Sequence, residues 1–282
     1  MSFRYLPGLG LTPRQIKAFE QYRDLLLAGN KQVNLTAITA PEDIEIKHFL
    51  DSLLLSRYPA WRSCFREAYR DRIRTADREE PEESLILENR QEESVDLESR
   101  QGQGVSVRIP DPGIRAADVG SGAGFPGIPL QIVIESRMRL DLLEASGKRV
   151  SFLQALIEAL ALPHTSAFHL RAEDAGQDPG YRESYDWVLS RAVAALPVLL
   201  EYCLPLLKTG GYFVAYKGPA GLREAKSAAK AAGILGAELC DAIKAALPEE
   251  QGQRSILIYR KTAPTPEKYP RRPGLPAKLP LG

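Results

Sequence analysis

The sequence predicts an α/β protein, a parallel-rich sheet covered by helices on both faces and preceded by a helical extension. Three observations carry this reading. Short apolar runs with strand character alternate with helical patterns from Ile114 to Tyr259, as in chained βαβ units. A glycine loop, Gly120 to Gly127 (GSGAGFPG), follows the first run and opens a helix. Asp118, Glu144, Glu173, Arg191 and Lys217 fall at or just past strand ends, the edge where such sheets bind ligands.

The elements follow in order. Thr12 caps a helix over Thr12–Leu27 with Pro13 in its first turn. Ile16, Phe19, Tyr22 and Leu26 line one face, and Gly29-Asn30 stops it. Pro41 opens a second helix to about Tyr58, on which His48, Asp51, Ser52 and Leu55 share a face. His48 can pair with Asp51 there, although the residue types favour a surface helix with a satisfied histidine. Strands are expected over Ile114–Val119, Leu140–Leu143, Ala167–Leu170, Trp187–Ser190, Tyr212–Lys217, Ala237–Ile243 and Ser255–Tyr259, and helices over Lys148–Leu160, Leu196–Leu207 and Ala220–Ala232.

Two stretches stand apart. Between Arg78 and Glu98 acids far outnumber bases, and LENRQ at Leu87–Gln91 echoes as LESRQ at Leu97–Gln101. Low hydrophobicity and like charge mark a tolerated, mobile insertion, with a protein-docking arm as the functional alternative. The tail Ala263–Gly282 holds six prolines with Lys268, Arg271, Arg272 and Lys278. Prolines block helix or sheet there, and basic groups on an extended chain suit phosphate contacts; a solubilising tail is the alternative. The expected organisation is a helical extension over 1–60, an acidic insertion over 61–108, a ligand-binding domain over 109–262 and the tail over 263–282.

Composition sets bounds. With 282 residues, 44% apolar and 26% charged, the chain is ordinary for a globular protein. Its net charge of +1 names no partner. Cys64, Cys203 and Cys240 make no CxxC pair, which favours free thiols in a reducing compartment and gives no metal site. The N-terminus MSFRYLPGLG has no apolar signal core, and no run reaches the roughly 18 apolar residues of a membrane span. A cytoplasmic protein without membrane contact is expected.

The glycine loop admits two ligands. Gly122-x-Gly124-x-x-Gly127 fits the dinucleotide fingerprint, whose pyrophosphate rests on backbone amides and a helix N-terminus. Asp118 at the strand end repels that anion. It suits a ligand carrying an ammonium group, such as the methionine part of S-adenosylmethionine. Glu144, some twenty residues further on, can accept ribose hydroxyl hydrogen bonds; a surface acid paired with Lys148 is the alternative. Glu173 can sit beside an adenine ring or cap a helix with Asp174. Arg191 can hold an anionic group, and Phe125 can close over a cofactor or pack inside.

Together these residues show a close resemblance to a known family. NLTAITAPEDIEIKHFLDSLLLSRY (Asn34–Tyr58), Asp118–Pro129, LLEASGKRVSFL (Leu142–Leu153), RAED (Arg171–Asp174), SRAVA (Ser190–Ala194), AYKG (Ala215–Gly218) and KYPRRPGLPAKLP (Lys268–Pro280) stand in one order. In that order the chain resembles the small-subunit (16S) ribosomal RNA guanine-N7 methyltransferases, also called glucose-inhibited division protein B. The resemblance implies a Rossmann-like class I methyltransferase sheet, S-adenosylmethionine as cofactor and 16S ribosomal RNA, or the small subunit, as partner. Carried over by motif, cofactor contacts fall on Gly120, Phe125, Ala172, Glu173 and Arg191, beside the loop residues Asp118 and Gly122 and the ribose acid Glu144. Two departures stand out: the acidic stretch near Arg62–Gly104 exceeds the family's usual connection, and residue 144 is Glu where Asp is common.

The implied chemistry is economical. Guanine N7 has a lone pair and no proton to lose, so in-line attack on the sulfonium methyl needs alignment rather than a base. No triad, metal or essential cysteine is expected. RNA-side positioning candidates are Asn34, His48, Asp51, Ser52 and Lys217, plus the tail, acting in a monomer. The competing classes are a nicotinamide-dependent oxidoreductase, distinguished by NAD binding, and a non-catalytic ribosomal-RNA-binding assembly factor, distinguished by absent methyl transfer. The reading requires Asp118, Glu144 and Glu173 to meet over one cleft.

Overall fold

The computed structural model describes residues 3–66 and 112–282. Most of the acidic segment expected over 61–108 therefore lies outside the described residues. Seven strands form one sheet: Arg115–Val119 (β1), Arg139–Glu144 (β2), Thr165–His169 (β3), Tyr185–Arg191 (β4), Leu207–Lys217 (β5), Ala237–Ala246 (β6) and Gln253–Lys261 (β7). Their order is β3-β2-β1-β4-β5-β7-β6. β1 to β5 run parallel, and β7 is antiparallel to β5 and β6. The five parallel strands thus end along one edge. Winding reverses between β1 and β4, which makes a switch point at the glycine loop.

Strand periodicity divides the interior into two cores. Ala116, Leu140, Leu142, Trp187, Leu189, Val214 and Ile256 join one, while Ala117, Val119, Leu143, Val188, Phe213, Ala215 and Leu257 join the other. Alternate side chains point to opposite faces, and both faces carry helices, so the central strands carry apolar residues on both sides, interrupted by the buried polar Asp118, Asp141 and Ser190. Helices Gly127–Val133 and Gly147–Ala159 cover the first face, and Ala172–Gln177, Leu196–Cys203, Gly221–Ser227 and Ala229–Ile234 cover the second.

The N-terminal extension belongs to the first core. Phe19, Tyr22, Leu26, Ile44, Phe49 and Trp61 are buried in it. Helix Pro13–Asn30 begins with a full capping box between Thr12 and Gln15. It runs three residues beyond the expected Leu27 because Asn30 organises the loop that follows. Asn30 Oδ1 accepts from the amides of Leu35 and Thr36, and its Nδ2 donates to the Thr36 carbonyl.

Three expectations are corrected. The second helix is not on the surface: Ile44, Phe49, Leu53 and Leu55 are buried together with His48, Asp51 and Ser52. It is also irregular, with α segments Pro41–Ile44 and Asp51–Leu53, a π segment Glu45–Leu50 between them and a 3-10 end at Leu54–Arg57. Gly210-Gly211 lies within β5 rather than before it, since Leu204–Leu206 closes the preceding helix as a 3-10 turn. The tail is folded onto the body and includes a short helix, Leu275–Lys278. Arg271 binds the fully buried Glu201 through its amide, Nε and Nη2, so this arginine is not on offer to phosphate. Among the described residues no helix is long and apolar enough to cross a membrane.

Candidate functional site at the carboxyl edge of the sheet

The loop after β1 is built on left-handed glycines, with Gly120, Gly122 and Gly124 at φ of +68°, +58° and +101°. L side chains resist this region. A Cβ on Gly120 would also collide with Val193, and one on Gly127 would stand 2.9 Å from Asp118 Oδ2. Gly122 differs, because its Cβ direction meets only the Gly120 carbonyl, at 3.9 Å. The loop is therefore closed beneath and open at Gly122.

Two carboxylates hold that loop. Asp118 lies behind it, wholly buried, with Oδ2 accepting from the Gly127 amide at 2.8 Å. Burial pushes its carboxyl up to about 7 against the pull of the Gly127 hydrogen bond and Arg191. Its place is inside the loop rather than on the cleft surface. Glu144 ends β2 and accepts from the amides of Gly122 and Ser146, each at 2.9 Å. Its cationic neighbour is Arg149 at 4.0 Å, not Lys148. A carboxylate offers about four lone-pair sites, so two amides leave acceptor capacity for hydroxyl donors.

Glu173 does not join them. Its Oε1 accepts from the Gly274 amide at 3.0 Å, and its carboxylate also receives the Tyr202 hydroxyl. The expected meeting of three carboxylates is thus two at the loop and one turned to the tail. Ala172 and Glu173 still begin the helix that follows β3, at the same sheet edge.

A second cluster faces the loop from the extension. Arg191 ends β4 and donates to Asp51 Oδ2 at 3.0 Å, to the Lys47 carbonyl at 3.2 Å and to His48 Nδ1 at 3.1 Å. Its guanidinium lies 4.8 Å from the Phe125 ring centroid. The His48 ring stacks on Phe125 at 4.4 Å, and Phe125 stacks on Tyr22 at 5.2 Å. Arginine only donates, so His48 Nδ1 accepts and Nε2 carries the proton toward Thr36 Oγ1, 2.8 Å away. Burial and then Arg191 push the His48 imidazole down to about 3, so it is neutral. His48 and Asp51 meet through a shared partner, Arg191, rather than as the direct pair that their helical spacing allows.

Arg254 adds a charge that no sequence signal marked. Its Nε stands 3.1 Å from Asp51 Oδ1, an ion pair without hydrogen-bond alignment. Two guanidiniums therefore share one carboxylate, which leaves local positive charge suited to an anionic group. Tyr22, whose hydroxyl donates to the Ala123 carbonyl at 2.7 Å, was also missed as a loop contact; helical spacing marked it only as core. Of the other candidates, Asn34 is exposed, and its carbonyl accepts from Arg149. The Ser52 carbonyl accepts the Tyr216 hydroxyl at 2.7 Å. Lys217 donates to the Ala194 carbonyl and to Glu224, both at 2.8 Å, so it anchors the segment whose Val193 covers Gly120.

The site fits an adenosyl sulfonium cofactor. Ser121 Oγ and Asp118 Oδ1 are buried at the loop with no hydrogen-bond partner among the described residues, and Glu144 stands one strand away. The family profile described as rRNA small subunit methyltransferase G matches residues 15–62 and 105–254. The chain belongs to that family. The profile match breaks across the stretch containing the acidic run, as the sequence departure anticipated. Ribosomal RNA small subunit methyltransferase G of Pelotomaculum thermopropionicum is 40% identical over 97% of this chain and 94% of its own length. The protein of the same name from Desulfitobacterium hafniense is 40% identical over 97% and 92%. A looser likeness is the 16S rRNA N2 G1207 methyltransferase of T. thermophilus in complex with AdoMet and guanosine, with a TM-score of 0.37 and 22% identity over 55% of this chain and 36% of that one.

Proposed function

We propose that this family member transfers the methyl group of S-adenosylmethionine to N7 of a guanine in small-subunit (16S) ribosomal RNA. The observation that carries this is the family match over residues 15–62 and 105–254, which takes in the carboxyl ends of all five parallel strands. Bound at the loop, the cofactor would supply an electrophilic methyl. The residues that would hold it are the Gly120–Gly122 backbone, Phe125, Glu144, the Ala172–Glu173 segment and Arg191, with Asp118 fixing the loop from behind.

This chain's own work is then positioning. Guanine N7 attacks with its own lone pair, so no residue has to remove a proton. Holding nucleophile and methyl close and in line can supply several kcal/mol. His48 is neutral and fixed between Thr36 and Arg191, which suits a ring that orders its surroundings rather than one that shuttles protons. The stack of His48, Phe125 and Tyr22 walls one side of the site. The Arg191–Asp51–Arg254 group offers positive charge to an RNA phosphate or the cofactor carboxylate. Guanine N7 faces the deep groove of paired A-form RNA, so the target base is looped out or locally melted. The enzyme acts as a cytoplasmic monomer.

The deciding experiment maps N7-methylguanine in 16S ribosomal RNA with and without the protein, beside calorimetry with S-adenosylmethionine and NAD. One new N7-methylguanine and cofactor binding without NAD binding are expected. Ribosomal RNA binding with no methyl transfer would make the protein an assembly factor instead.

A further inference from the structure

Composition suits the tail either to phosphate contact or to solubilising the chain, yet its hydrogen bonds point inward. Arg182 donates to the carbonyls of Thr265, Pro266 and Tyr269. Gln177 donates to those of Glu267 and Pro270. Arg271 seals the buried Glu201 and also reaches the Leu279 carbonyl. A Cβ on Gly176 would stand 2.6 Å from the Pro270 ring, so the tail lies directly on helix Ala172–Gln177. The last of these ties is at that helix's first turn, where the Gly274 amide meets Glu173 at 3.0 Å. Gly274 is at φ +81° with open space beyond it, so the backbone there is shaped to aim its N–H.

We propose that the C-terminal tail is a strap that positions the Ala172–Glu173 wall of the cofactor site, acting through the Gly274 amide on Glu173. The proposal rests on the cofactor reading above. Glu173 is in this account a positioning residue whose carboxylate belongs to the tail, while the backbone of Ala172–Glu173 faces the adenosyl group. The body of the tail is held by Arg182, Gln177 and Arg271 independently of that contact. Removing its end therefore takes the Gly274 amide from Glu173, leaving Tyr202 as its partner, without detaching the rest.

The test uses a chain ending at Pro273, together with Glu173→Ala and Glu173→Gln in the full chain. Affinities for S-adenosylmethionine and S-adenosylhomocysteine are measured by calorimetry, RNA KM and kcat by labelled methyl transfer, and folding by thermal melting. Both the shortened chain and Glu173→Ala should bind each ligand about tenfold more weakly, the size of one lost charge-assisted hydrogen bond. Saturating cofactor should restore kcat, and RNA KM should stay within about twofold, since no phosphate contact is removed. Glu173→Gln keeps an oxygen for the Gly274 amide and should bind near the parent level. Parent affinity in the shortened chain and in Glu173→Ala would overturn the strap. So would a loss confined to RNA KM, which would make the tail's end an RNA contact. If the full chain itself binds no S-adenosylmethionine, the cofactor reading fails instead. If the shortened chain melts below the assay temperature, the contrast between Glu173→Ala and Glu173→Gln decides alone, and equal losses in both overturn the proposal.

Discussion

At the scale of single residues, the site is set by groups whose neighbours leave them one role. Asp51 is the only carboxylate contacting Arg191 among the described residues, and it is buried against Arg254 as well. Asp51→Ala leaves two guanidiniums facing each other, and the loss of a buried partner costs about 3 kcal/mol, measurable by urea unfolding. Asp118 and His48 give opposed pH signatures. Asp118 binds its proton more tightly when folded, with a pKa of about 7 against 3.8, so it makes stability fall as pH rises through that window. His48 binds its proton more weakly when folded, about 3 against 6.5, so it makes stability rise with pH there. The two slopes oppose each other in the parent. Asp118→Asn should therefore lose stability more steeply on acidification below about pH 6.5, while His48→Gln should do the reverse, both followed by urea unfolding across pH. Gly120→Ala puts a methyl into Val193 on a left-handed backbone. It should cost about 1–3 kcal/mol and reduce cofactor affinity in calorimetry.

At the scale of elements, helix Pro13–Asn30 owes its start to the Thr12–Gln15 box. Thr12→Ala should cost about 1 kcal/mol in urea unfolding without moving cofactor affinity. The spacing of apolar residues showed where helices and strands exist, because burial on a periodic face leaves that mark in sequence. It missed the added turn up to Asn30, which rests on the Asn30 side chain binding the Leu35 and Thr36 backbone, and the π segment over Glu45–Leu50, which arises from contacts distant in the chain. The π segment is packed on the buried Phe125 ring and on the partly buried Arg191 side chain, and no local rule counts those. Lys217 shows the same gap. Its place at the end of β5 was legible, while its engagement by Ala194 and Glu224 was not.

For the whole molecule, the extension expected over 1–60 shares its core with the sheet. Tyr22, Phe49, Phe125 and Ile128 lie in one buried cluster, so removing residues 1–58 exposes that face. The remaining chain should fail to give a cooperative melt and should aggregate, as read by calorimetric scanning and light scattering. The extension also carries His48 and Asp51 to Arg191, so folding and site assembly are one event.

Sequence alone determined the sheet, its glycine loop and the residues at the strand ends, because strand periodicity, glycine at left-handed turns and the parallel βαβ pattern are local consequences of residue type. It also determined the family, through motifs in fixed order. Only the tertiary structure decided which of those residues face each other. Asp118 went behind the loop, Glu173 to the tail, His48 and Asp51 to Arg191, and Arg271 to Glu201. The direction of a polar side chain depends on which partner burial brings within about 3 Å, and that partner is set by packing across tens of residues of chain.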